Sequence, residues 1–172
     1  MVHVLVASQV LLTTVFVVSA YSKLRSRAAL QSFAATLRLL PGPARFPAAM
    51  ATVAVEVVTA ATLIVLPHAG LAVGGMLLIA FSTWIAISLR WGQREPCQCF
   101  GASVTPLGPV HLVRNGLLLL VAALGSVALM FPGGPVTMVG LALAVPVGLV
   151  GAILLIVFDD IADLFMEVAG SA

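Results

Sequence analysis

Long apolar runs separated by short polar breaks dominate the chain. A helix that crosses a membrane needs about 20 mainly apolar residues. Five runs are long enough, and they cover residues 2–21, 47–66, 69–89, 112–131 and 136–158. Pro, Gly or charged residues separate them. The pattern predicts an all-α fold, a polytopic transmembrane helical bundle of about five spans, with residues 1–172 forming a single integral membrane domain.

Two shorter segments alternate apolar and polar positions at helical spacing. The apolar positions of the segment after the first run are Leu30, Phe33, Leu37 and Leu40. This pattern predicts a short amphipathic helix in the headgroup region. The tail after the fifth run alternates in a similar way, and Asp159 belongs to its polar side.

Composition excludes several classes of protein. The chain is 62% apolar and 8% charged, whereas soluble domains carry about 25% charged residues. The formal net charge is +2, and no basic stretch is long enough to follow a nucleic-acid backbone. Two cysteines cannot build a framework of several disulfides or a four-thiolate metal site within one chain. We therefore expect the lipid bilayer, and no nucleic acid, as a partner.

All eight Lys and Arg residues fall at one end of the predicted bundle. We call this the basic end; it comprises the loop after the first run, the loop after the third run and the C-terminus. The two opposite loops contain no Lys or Arg. The positive-inside rule then places the basic end in the cytoplasm.

Small residues line one face of the fifth run at four-residue spacing. They are Gly140, Ala144, Gly148 and Ala152. Such a stripe lets a neighbouring helix approach closely. It is also a candidate surface for an oligomer.

The stretch Cys97-Gln98-Cys99-Phe100-Gly101 carries the most chemical information. Two thiols separated by one residue can close into a small, strained ring, and strain makes a disulfide exchangeable. Nearby arginines, such as Arg94, favour the thiolate that attacks disulfides. The alternatives are a pair of inert thiols, or a soft-metal site assisted by His111, whose list of ligands is short.

Glu56 is the single acidic residue inside a predicted span. An ionised carboxylate at that depth costs about 3 kcal/mol or more unless it is paired. We therefore expect Glu56 to face the bundle interior, with Lys23 and Arg114 as candidate partners. A structural clamp and a role in proton movement or in tuning the thiols are both compatible with this position.

These residues together resemble a known family. The first helix ends in the sequence Ala-Tyr-Ser-Lys-Leu at 20–24, Glu56 follows in the second, and the Cys-x-Cys-Phe-Gly stretch at 97–101 precedes Arg114-Asn115. This combination resembles the MauE family within the DoxX-like membrane proteins over about residues 2–131. The resemblance implies a four-helix core with one extra helix. It also implies a bacterial inner-membrane protein associated with redox chemistry, first linked to methylamine utilisation.

The function that the resemblance implies is thiol–disulfide exchange with a thioredoxin-like partner, in support of disulfide formation or maturation of another protein. Cys97 and Cys99 would be the catalytic pair, within a motif completed by Phe100 and Gly101. The polar groups supporting them would be Lys23, Glu56, Arg114 and Asn115. Whether the protein is itself an enzyme is open, as is a lipid quinone as the other electron carrier. No other cofactor and no metal is expected.

The sequence leaves the orientation in the membrane and the choice among functions open. A protein that oxidises exported substrates should hold its cysteines outside the cytoplasm, where disulfides persist, which opposes the orientation predicted from charge. The alternative functions are a non-catalytic assembly or scaffold subunit of a redox complex, and a transporter of small solutes or metal ions.

Overall fold

The computed structural model describes residues 1–92, 108–131 and 137–162 of the chain. Within these ranges all regular secondary structure is helical. The helices are α1 (Val2–Leu24), α2 (Arg27–Thr36), α3 (Gly42–Val65), α4 (Pro67–Arg90), α5 (Pro109–Met130) and α6 (Met138–Ile156). All except α2 are long and apolar enough to cross a membrane. The predicted all-α, polytopic bundle is confirmed.

Helix α1 lies at the centre of the bundle. It packs against α3, α5 and α6, and α4 packs against α3 and α5. Helices α1, α3, α4 and α5 therefore form a closed four-helix core, and α6 adds to it from outside along α1. This arrangement matches the expected core of four helices with one extra helix.

The core is made of aliphatic and aromatic side chains that α1 directs toward its neighbours. Leu12, Val15 and Phe16 are almost completely buried and cluster with Leu63 of α3 and Leu118 of α5. Many large apolar side chains on the outer surfaces are exposed. An apolar exterior of this extent is what a helix bundle presents to lipid rather than to water.

Helix α2 folds back against the start of α3. Its first turn is capped by the Ser26 hydroxyl, which accepts a hydrogen bond from the Ala29 amide at 3.0 Å. Phe33 and Ala34 pack on Ala49 of α3. The amphipathic pattern predicts apolar positions to Leu40, whereas α2 ends at Thr36.

Helix α3 begins five residues before the predicted span. Pro43 lies in its first turn, where a missing N–H costs nothing. Pro47 lies one turn further inside the helix, and there its ring removes a single backbone hydrogen bond. The prolines that suggest a boundary therefore belong to the helix, and the first turns of α3 lie beside α2.

Helices α3 and α4 meet in a tight connection that requires glycine. Gly70 of α4 contacts the backbone of the preceding helix, and a Cβ there would lie 2.7 Å from the carbonyl carbon of Thr62. No larger residue fits without shifting one of the helices.

The stripe of small residues on α6 faces α1 of the same chain, which corrects its assignment as an oligomer surface. Gly140 lies against the His3 ring, and a Cβ at Gly148 would be 2.7 Å from the Ala7 carbonyl oxygen. Ala144 and Ala152 are buried on the same face. The close approach predicted for this stripe exists, but α1 occupies it and leaves no room for a second copy.

Candidate functional site

Glu56 lies in α3 with its side chain completely buried in the bundle. Lys23 Nζ, from the last turn of α1, donates to Glu56 Oε1 at 2.8 Å and to Oε2 at 3.1 Å. Lys23 itself is 2% exposed. The carboxylate therefore faces the interior, and one of its two expected partners neutralises it there.

Ser19 connects the two charges. It lies one turn before Lys23 on the same face of α1, donates to Glu56 Oε1 at 2.9 Å and accepts from Lys23 Nζ at 2.6 Å. We call Ser19, Lys23 and Glu56 the Lys23 cluster. Its hydrogen bonds close a ring, so that a buried charge pair is also satisfied by a neutral group.

Helix α2 covers the Lys23 cluster from outside. The Phe33 ring centroid lies 4.9 Å from Lys23 Nζ, a distance at which the face of an aromatic ring attracts a cation. Phe33 is buried as well. The amphipathic helix thus separates the ammonium group from the surface of the protein.

A second buried group of charges lies at the start of α5. Arg114 Nη1 donates to Asp159 Oδ2, and His111 Nδ1 lies 3.3 Å from Asp159 Oδ1. His111 and Arg114 are three residues apart on one face of the helix. We call His111, Arg114 and Asp159 the Asp159 cluster.

Asp159 reaches this position from the helical segment 158–162, which follows a break at Val157 after α6. Its side chain is 8% exposed. The sequence pattern assigned Asp159 to the polar side of an amphipathic tail, and this expectation is wrong for Asp159. The carboxylate is buried because it neutralises Arg114, and it also lies near the positive end of the α5 dipole.

A small cavity lies between the two clusters. Ser19 of the Lys23 cluster and Arg114 of the Asp159 cluster line it, together with Asn115; the apolar lining is Val15, Phe16, Leu78 and Phe81. Its volume is about 10 Å³, close to the smallest that holds one water molecule. A cavity that admits a six-membered ring measures about 150 Å³, so this one does not fit a quinone ring.

The predicted catalytic pair, Cys97 and Cys99, lies outside the described residues, as do Phe100 and Gly101 of the same motif. The four predicted supporting residues are all described and buried: Lys23, Glu56, Arg114 and Asn115. Within 1–92, 108–131 and 137–162, no three His, Cys, Asp or Glu side chains converge as a metal site would require.

The sequence did not predict three members of the two clusters, which are Ser19, His111 and Asp159. Ser19 is a small polar residue of a kind common in membrane helices, and Asp159 lies beyond the last apolar run. The sequence pattern offers His111 as an assisting ligand of a soft-metal site and does not assign it to a cluster of charges. A usable signal was the position of Arg114 in an apolar helix start, because a buried guanidinium requires a carboxylate at the same depth.

Comparison with known proteins gives one finding. The family model described as methylamine utilisation protein MauE matches residues 1–128, which include both α2 and the Cys-x-Cys stretch. No curated protein and no solved structure matches the chain.

Proposed function

The chain belongs to the MauE family, and on that premise we propose that it is a thiol–disulfide redox protein of the bacterial inner membrane. Cys97 and Cys99 exchange electrons with a thioredoxin-fold partner and so support disulfide formation or maturation of another protein. The observation that carries the proposal is the concentration of buried polar groups at the end of the bundle where the segment with both cysteines starts and finishes.

The described residues on either side of the segment with both cysteines lie at the basic end. Helix α4 ends at Arg90 and α5 begins at Pro109, on the level of the Asp159 cluster. The proposal therefore assigns the thiols to the basic end, as the sequence pattern predicts.

The exchange itself balances within the two proteins. A thiolate of the reduced partner attacks one sulfur of the Cys97–Cys99 disulfide, and the other sulfur leaves as a thiolate. The partner's second thiolate then breaks the mixed disulfide. The partner loses two electrons and gains a disulfide, and this chain gains the two electrons as a pair of thiols once its sulfurs take up protons.

The two clusters limit which cations favour the thiolate. Glu56 neutralises Lys23 and Asp159 neutralises Arg114, so neither cluster adds much net charge at the thiols. Arg25 and Arg90 are exposed at the same end, and they supply the net positive potential that stabilises a thiolate. The two clusters then act in positioning side chains and in proton transfer more than in stabilising the thiolate.

Trapping tests the proposal. The probe is a purified thioredoxin with a single active-site cysteine, activated as a mixed disulfide. We expect it to couple to the Cys97→Ser or the Cys99→Ser variant in a bilayer nanodisc, and not to the double variant. Wild type should form the internal disulfide in defined redox buffers. If neither single variant couples and the internal disulfide never forms, the proposed function is wrong.

A scaffold subunit is the second candidate, because the two clusters join helices far apart in the sequence: α1 with α3, and α5 with the segment after α6. In that case the double cysteine variant would still support the partner enzyme in cells. The cavity between the clusters is too small for a solute larger than water, so this cavity does not support the transporter hypothesis.

A further inference from the structure

Asn115 is a buried amide that makes no side-chain hydrogen bond within the part of the chain that the structure describes. The residue is 3% exposed. Its side chain has two N–H donors and a carbonyl oxygen that accepts. The large majority of buried polar side-chain atoms have a partner, either in the protein or in an ordered water molecule. A buried amide that departs from this rule is a candidate for binding a ligand.

Asn115 lies on the side of α5 that faces α1. Leu118, one turn further along α5, belongs to the same buried apolar cluster as Val15 and Phe16 of α1, and residues three or four apart share a helix face. Val15, Phe16 and Ser19 of α1 line the cavity between the two clusters together with Asn115. The cavity therefore has Asn115 on one helix and Ser19 on the other.

Both polar residues lie within the membrane-spanning parts of their helices. Asn115 is six residues, or about 9 Å, from the start of α5 at Pro109, and Ser19 is five residues, or about 8 Å, from the end of α1 at Leu24. The core of a bilayer has no water that could hydrogen-bond to a polar group. The cavity is the space beside the amide in which a partner fits.

The size and the charge of the cavity define the ligand. Its volume of about 10 Å³ is at the lower limit for one water molecule, which needs about two to four polar partners. Asn115, Ser19 and Arg114 line the cavity and make three. The ion pairs of the two clusters are each balanced, so a bound ion would bring an uncompensated charge into a low-dielectric interior. A neutral ligand of the size of water satisfies both conditions.

We propose that the cavity is a binding site for one water molecule, which the Asn115 amide holds and which bridges to Ser19 and Arg114. Ser19 belongs to the Lys23 cluster and Arg114 to the Asp159 cluster. The water molecule thus joins both clusters in one hydrogen-bonded network, which connects α1, α3, α5 and the segment after α6. This site does not depend on the proposed thiol chemistry.

The first experiment detects the water molecule in the wild-type protein. Asn115 is the single asparagine of the chain, so selective 15N labelling of asparagine gives one side-chain amide signal. The full chain is reconstituted in a lipid bilayer, and the transfer of magnetisation from water protons to Asn115 Nδ2 is measured by solid-state NMR. We expect a cross peak at the water frequency. If the wild-type amide receives no magnetisation from water, the cavity is dry and the proposal is wrong.

Val15→Ile tests whether this signal comes from the cavity. Val15 lines the cavity, and one more methyl group there takes up its volume without changing a polar group. The cross peak should be lost. Val53→Ile is the matched control, because Val53 is buried to a similar extent in α3 but does not line the cavity; it should keep the cross peak. A cross peak that survives in Val15→Ile would overturn the assignment of the water to this cavity.

Ser19→Ala tests the bridge to the Lys23 cluster. Removing the hydroxyl takes away one partner of the water molecule, so the Asn115 Nδ2 resonance should shift. The matched control is Ser8→Ala, since Ser8 is a buried serine of the same helix that does not line the cavity; it should leave the resonance in place. An unchanged resonance in Ser19→Ala would show that no bridge exists. A resonance that moves when gluconate replaces chloride in the buffer would identify an anion in the cavity and overturn the proposal. The wild-type measurement needs no variant, so it decides the question of the water even if Val15→Ile does not fold.

Discussion

Replacing Lys23 by Met tests whether the Lys23 cluster is a true buried charge pair. The substitution keeps most of the apolar stem and removes the ammonium group. Glu56, with no exposed surface, then loses two charge-assisted contacts of 2.8 and 3.1 Å and keeps the Ser19 hydroxyl. We expect a large loss of stability, because one full charge remains in the interior without the ammonium group that neutralised it.

The magnitude follows from distance and burial. At about 3 Å and an effective dielectric constant of about 20, the attraction between the two charges is about 5.5 kcal/mol. Removing one partner of a buried pair costs about 3–5 kcal/mol, because relaxation and protonation recover part of the loss. The double variant Lys23→Met/Glu56→Gln removes both charges and should recover most of that cost.

The assay is reversible unfolding of the full chain in mixed micelles, with the free energy of unfolding followed by near-UV circular dichroism. Arg25→Met is the matched control, because Arg25 lies two residues further along and is exposed; it should stay within about 0.5 kcal/mol of wild type. A loss below about 1 kcal/mol for Lys23→Met, or a double variant as unstable as the sum of its singles, would refute the reasoning.

Two further predictions follow from the packing of α6 and α2. Gly148→Ala should lower the free energy of unfolding by about 1–3 kcal/mol, because the new methyl group would lie 2.7 Å from the Ala7 carbonyl oxygen. Gly116→Ala, at a position with open space, should stabilise the protein by up to about 1 kcal/mol, and equal effects of the two would contradict the close contact of α6 with α1. Phe33→Ala should make Lys23, the single lysine of the chain, react faster with an amine-selective reagent, because the ring that covers its ammonium group is removed. Mass spectrometry of the labelled peptide separates Lys23 from the N-terminal amine. The control is Leu39→Ala, near the end of the same segment. An unchanged labelling rate in Phe33→Ala would show that Phe33 does not shield the Lys23 ammonium group.

The helices of this fold were predictable because their signal is local. A run of about 20 apolar residues is both the cause of membrane insertion and the pattern read from the sequence. The boundaries were less predictable, as the start of α3 shows. Pro43 and Pro47 mark a break in a sequence pattern, but proline is tolerated in the first turns of a helix. Tertiary contact with α2, which no local pattern encodes, accompanies the extension to Gly42.

The candidate site was predictable where burial of one charged residue requires an oppositely charged residue beside it. A carboxylate deep in an apolar helix requires a cation, and Lys23 was within reach at the end of α1. Burial of Arg114 likewise requires a carboxylate nearby. That carboxylate is Asp159, from the segment after α6, and the sequence pattern does not predict that the path of the chain brings Asp159 beside Arg114. Ser19 carries no such demand, since a hydroxyl can bond to its own helix backbone.

The two clusters also change what the charge distribution says about orientation. Lys23 and Arg114 are buried and paired, so neither presents a free charge to the headgroups or to the translocation machinery. Without these two, six of the eight basic residues remain. In the sequence pattern all six belong to the basic end, and the opposite loops contain no Lys or Arg. Acidic residues contribute little to this rule, so Asp160 does not cancel the bias. The remaining six arginines therefore carry the whole orientation signal. Exchanging Arg25 and Arg27 for neutral residues is the change that should weaken it while leaving both clusters intact.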